Sequence, residues 1–90
     1  MVSPRAWSYG DYDGNYGAHT MAFQDAQGIT YWFSYNTLIA FSSAATGGRV
    51  VHTNDWSPTT GKHLNWIDGG DKESRVGDEE FKHLLEKAMA

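Results

Sequence analysis

The side chains best suited to chemistry stand close together, between Trp56 and Gly70. Ser57, Thr59 and Thr60 bring hydroxyls, Lys62 an ammonium, His63 an imidazole and Asn65 an amide. Such a set could supply a nucleophile, a base and an anion ligand. Thr59-Thr60-Gly61-Lys62 invites comparison with a phosphate-binding loop, but the spacing fails. That motif needs glycine where Trp56 stands, and Ser or Thr where His63 stands. A more general chemistry survives. Free amides at a helix start, with Thr59, Thr60, Lys62 and His63 beside them, can hold phosphate or a carboxylate. His63 with Asp55 or Asp68 would make an acid–base pair, and Ser57, Thr59 or Thr60 a nucleophile. Nothing in the spacing positions a third group, so the chain is read as non-enzymatic, with no catalytic residues.

The remaining candidates are thinner. His19, His52, His63 and His83 share no metal-ligand spacing, and the chain has no cysteine, so no metal or cofactor is expected. Asp11-Tyr12-Asp13-Gly14-Asn15 echoes the first half of a calcium loop. Tyr16 replaces its required glycine and Ala22 its closing acid, which excludes an EF-hand. Four Trp, five Tyr and four Phe are many for so short a chain. Some must be partly exposed, where aromatic rings anchor interfaces. Trp32 alternates out of phase with Tyr31, Phe33 and Tyr35, which makes it a candidate exposed anchor beside Tyr12 and Trp56.

These side chains need elements to position them. Residues 1–17 alternate turn formers with tyrosines and are expected to be irregular, pinned by Trp7. Residues 18–24 read as a strand and Asp25–Gly28 as a hairpin connection. A long strand starts at Ile29, and a turn or bulge is expected near Asn36. Further strands follow at 38–42 and 49–54. Ser57-Pro58 signals the start of a short helix over about 58–67, with Thr59 or Thr60 equally able to serve as its cap; Thr60, Leu64 and Ile67 lie on one face, and Gly69-Gly70 stops it. Gly61 weakens this helix by ~1 kcal/mol relative to alanine, which points to a close approach or a frayed start. Val76 and Phe81 form a hydrophobic staple for a helix over about 78–89. Its buried stripe is Phe81, Leu84, Leu85 and Ala88. Asp78, Glu79 and Glu80 suit the positive end of its dipole. The expected fold is α+β, with an antiparallel sheet of about four strands, the short helix, and the C-terminal helix packed on one face.

Ninety residues make one small domain. The net charge is −4, and seven of the eleven acids fall in the last 23 residues. This balance argues against nonspecific nucleic-acid binding and suits a basic protein partner. No segment is long and apolar enough to span a membrane, and the N-terminus lacks a signal-peptide core, so a cytoplasmic location is expected.

Phe33-Ser34-Tyr35-Asn36-Thr37-Leu38-Ile39-Ala40-Phe41, followed by Trp56-Ser57-Pro58-Thr59-Thr60-Gly61-Lys62-His63-Leu64-Asn65, resembles a pattern in small phage and prophage proteins without settled biochemistry. Tyr16–Thr20 and Ile67–Gly70 belong to the same pattern, and the resemblance covers residues 9–86. Gly77 stands where that pattern carries a capping serine. By genome context the resemblance implies a phage-derived accessory protein in the host cytoplasm. Such a protein binds and inhibits a host protein complex, as anti-CRISPR proteins do to CRISPR effectors. Tyr12, Trp32, Trp56, Ser57, Thr59, Thr60, Lys62, His63 and Asn65 are its expected contact residues. The alternative is a module that binds single-stranded nucleic acid or nucleotide at the Thr59–His63 helix start.

Overall fold

The structure is a computed structural model and describes residues 3–9 and 20–90. Tyr12, His19 and the Asp11–Asn15 segment lie outside the described residues. Five strands, β1 (Arg5–Ser8), β2 (Met21–Gln24), β3 (Thr30–Ser34), β4 (Thr37–Ser43) and β5 (Gly48–Val51), form one antiparallel sheet in chain order. Helices α1 (Pro58–Asp68) and α2 (Asp78–Met89) follow.

Among the described residues the sheet has five strands where about four were expected, because Arg5–Ser8 pairs with β2, placing Trp7 opposite Ala22. Four residues are too short for a period of two to stand out among the flanking turn formers, so this strand is defined by its neighbour. Between β3 and β4 the expected turn near Asn36 is a tight Tyr35-Asn36 connection with Tyr35 at φ +57°, preceded by a register shift between Trp32 and Phe33. Trp32 pairs with Ala40 and Phe33 with Leu38, so Ile39 is the extra residue on β4.

Cross-strand register sorts the two faces. Ala22, Trp32, Ala40 and Val51 line up on one, and Phe23, Tyr31, Phe41 and Val50 on the other. The helices cover opposite faces. Leu64 and Ile67 of α1 pack with Tyr9, Ala22, Ile39, Ala40 and Val51. Phe81 and Ala88 of α2 pack with Ile29, Phe41 and Val50, with Leu84 and Leu85 partly buried beside them. Trp32 is half-buried against the α1 core, so it is not the exposed anchor that alternation suggested. Aromatic alternation separates two faces but does not tell which is covered, and here both are.

The chain crosses from one face to the other between the helices. Val76 forms a parallel bridge with His52; its N–H donates to Val51 O, and Thr53 N–H donates to its carbonyl. This contact uses the outer edge of β5 that would otherwise be open. Among the described residues no helix is long and apolar enough to cross a membrane.

Candidate functional site

The α1 stretch divides its polar side chains between the core and the surface. Ser57 is the N-cap: its backbone is extended and its Oγ accepts from Thr60 N–H at 3.3 Å. Pro58 follows at the first helical position, where the missing N–H has no helical partner to lose. Gly69 closes the helix in the left-handed conformation at φ +68°. The Thr60 amide, one of those an anion at this helix start would use, is therefore already taken by Ser57.

Thr60 and His63 turn inward. Ser34 Oγ lies 2.7 Å from His63 Nδ1 and 3.2 Å from Thr60 Oγ1. A serine at hydrogen-bond distance from an imidazole is the geometry of a nucleophile and its base. Here His63 is 0% and Ser34 2% exposed, so the pair is closed to substrate and ties β3 to α1. The edge of the Tyr9 ring meets the His63 ring at 6.4 Å, and the Tyr9 hydroxyl donates to Phe33 O at 2.7 Å. The carboxylates expected beside His63 have other partners. Asp68 is bound to Arg75, and Asp55 lies 3.9 Å from His52.

Lys62 and Asn65 face outward into a groove of about 410 Å³. Thr53, Asn54, Pro58, Gly61, Lys72 and Arg75 complete its lining. Asn54 shapes one wall through a local turn, its Oδ1 accepting from Trp56 N–H and its Nδ2 donating to Ser57 O. A Cβ on Gly61 would stand 2.9 Å from Asn54 Nδ2, so the mid-helix glycine marks a close approach. Arg75 lies deepest. It donates from Nε to Asp68 Oδ2 at 2.7 Å, and from Nη2 to Asp68 Oδ1 at 3.0 Å and Asn65 Oδ1 at 2.9 Å. Burial opposes charge on Asp68. The Arg75 guanidinium, the Gly70 N–H and the more distant Arg49 outweigh it and hold the carboxyl below the ordinary aspartate range. Lys72 makes no ion pair among the described residues, and both groove lysines are exposed.

Trp56 belongs to a second surface. Its ring lies 4.7 Å from that of His52, beside an apolar slot of about 230 Å³ lined by Leu38, Phe81 and Leu85. His52 is held at both nitrogens, Nδ1 at 2.6 Å from Thr53 O and Nε2 at 3.0 Å from Asp78 Oδ1. The His52 contact, with the Lys82 ammonium 2.9 Å away, holds the Asp78 carboxyl below its ordinary range.

The structure thus brings Lys62 and Asn65 together, takes Thr60 and His63 into the core, leaves Ser57 as a cap, and sets Trp56 and Trp32 elsewhere. Thr59 is partly exposed on the first turn of α1. The residues missed in the sequence were Ser34, Asn54, Lys72 and Arg75. Only Asn54 left a trace, since Gly61 signalled that something comes close. Among the described residues no group of His and acidic side chains is placed to hold a metal ion.

The family described as a family of unknown function (DUF8033) matches residues 9–83, and the chain belongs to it. No curated protein and no solved structure matches the chain.

Proposed function

For this member of DUF8033 we propose a function in binding rather than catalysis: an accessory protein of phage origin that acts in the host cytoplasm by occupying and inhibiting a host protein complex. The observation that carries the binding part is the division of the α1 side chains. Thr60 and His63 are buried with Ser34 in the α1–β3 contact, while Lys62 and Asn65 line an open polar groove. Exposed Trp56, at 41%, and Trp66, at 51%, add aromatic surface near both ends of α1, of the kind that anchors protein interfaces. The phage origin and the inhibitory role rest on the resemblance of the Phe33–Phe41 and Trp56–Asn65 segments, with CRISPR effectors as the first complexes to test.

Affinity capture from host lysate tests this reading. It is expected to recover a protein partner in stoichiometric amount, with recovery reduced by Lys62→Glu or Trp56→Ala. Recovery of no such partner would overturn it. The nucleic-acid alternative is favoured by the same lysines. It requires salt-sensitive oligonucleotide binding that is lost in Lys62→Ala.

A further inference from the structure

We infer that the apolar slot beside Trp56 takes one large apolar side chain of a protein partner, presented on a segment with lysine or arginine on either side of it. The inference rests on the binding role proposed above and names the chemistry of the partner.

The size and lining of the slot are the first argument. It holds about 230 Å³, with Leu38, Trp56, Phe81 and Leu85 among its walls. A dry apolar cavity of about 150 Å³ accommodates benzene, so the slot has room for one phenylalanine or leucine side chain and little more. Trp56 is exposed, and Leu38 and Leu85 are only partly buried, so apolar surface remains in water there. Covering it with an apolar side chain is favourable.

The walls are held in advance. His52 is fixed by Thr53 O and Asp78 Oδ1, and its ring meets Trp56 at 4.7 Å and Phe81 at 5.0 Å. The Trp56 backbone N–H donates to Asn54 Oδ1. Walls already ordered lose little freedom on binding, and a partly exposed tryptophan in such a setting acts as an anchor.

Charge complementarity sets what flanks the apolar side chain. Asp78 and Lys82 line the slot and pair with each other at 2.9 Å. Two further exposed carboxylates stand nearby: Asp55, next to Trp56 and 3.9 Å from His52 Nδ1, and Glu79, whose charge acts on Lys82. Among the described residues neither has a lysine or arginine within salt-bridge distance. Lys82 alone does not balance these three carboxylates, and the surroundings of the slot favour a basic segment.

The same charges disfavour other occupants. The phosphates of a nucleotide or nucleic acid would meet Asp55, Asp78 and Glu79, with Lys82 already held by Asp78. Two copies of this chain, each with a net charge of −4, repel one another.

The test is an NMR titration of the full chain. The probes are a capped pentapeptide with a central phenylalanine between paired lysines, its counterpart with a central alanine, its counterpart with glutamates for lysines, and ATP. The phenylalanine–lysine peptide is expected to shift the Trp56 indole signal and the amides of Leu38, Asp55 and Leu85. It should bind about tenfold more weakly to folded Trp56→Ala, and about tenfold more weakly to the surface variant Asp55→Lys/Glu79→Lys. Asp55→Glu/Glu79→Asp is expected to retain binding. The inference is overturned by no response to this peptide, by an equal response to the alanine or glutamate peptide, by binding indifferent to both the tryptophan and the charge changes, or by tighter binding of ATP. Self-association of the free chain that is lost in Trp56→Ala would also overturn it, by giving the slot to a second copy. A captured partner that ignores both variants would overturn the slot inference and leave the binding role standing. Failure to capture any partner would overturn the binding role, and the inference with it.

Discussion

The two helices cover opposite faces of one sheet, and they do so with different materials. Under α2 the contact is apolar: Phe81 meets Phe41 edge to face at 5.3 Å, with Ile29, Val50 and Ala88 around them. Under α1 the buried side chains include Thr60 and His63, whose Oγ1 and Nδ1 meet Ser34 Oγ across the interface. An apolar contact gains from area and tolerates small displacements. A buried polar contact is neutral or mildly stabilising when complete and strongly unfavourable when one member is lost. The α2 side is therefore expected to contribute more of the stability, and the α1 side more of the precision with which the outward face of that helix is held.

Four measurements would break or sharpen this contrast. The largest effect is expected from Phe81→Ala, a loss of about 3–5 kcal/mol in urea unfolding, a large share of what a small domain has. A smaller loss than that of any single change in the polar cluster would break the contrast. Ser34→Ala and His63→Leu are next, each costing about 1–3 kcal/mol because the buried Ser34–His63 hydrogen bond is lost. The double variant should lose less than the sum of the two; additivity would mean that the pair is not coupled.

Acid unfolding compares the ion pairs of the two sides. The folded-state pKa values of Asp68 and Asp78 are both lowered. Each contributes stability that is fully present above the unfolded aspartate value, about 3.9, and lost as the pH falls through the lower folded value. Asp68, with a side chain 6% exposed, should show the larger effect, and Asp78, at 53%, the smaller. Stability measured against pH should flatten below about 4 in Asp68→Asn more than in Asp78→Asn.

The smallest effects concern the helix starts. Ser57→Ala removes a cap bond and should cost about 1 kcal/mol. Gly77→Ser should gain a few tenths of a kcal/mol at α2, since Gly77 has no left-handed backbone and a Cβ there meets nothing within 4 Å. Melting curves of the two variants should move in opposite directions.

The asymmetry between the helices is also an asymmetry of legibility. The α2 stripe, its Val76–Phe81 staple and its acidic first turn are all local, and the structure reproduces them. The start and stop of α1 were equally local, and the observed helix exceeds the expected one by a single residue, Asp68. Which way its polar residues point was not local. Thr60 lies on the same helical face as Leu64, and that much could be read. His63 stood among groups suited to chemistry, and only the approach of Ser34, 29 residues earlier, shows that it belongs to the core. The groove was half visible: Lys62 and Asn65 were singled out, whereas Lys72 and Arg75 lie beyond the Gly69-Gly70 stop and return only because Val76 pairs with β5.

The sequence by itself determined the α+β class, both helices, the first hairpin and the absence of a phosphate loop. These depend on residue type and spacing over a few positions, where capping, turn chemistry and periodicity act. Only the tertiary structure decided that β1 joins the sheet, that the helices take opposite faces, that Trp32 is covered, and that a serine–histidine pair suited to catalysis is a strut inside the core. Each of those outcomes depends on contacts between segments far apart in the chain, whose geometry is set by packing and burial rather than by local preference.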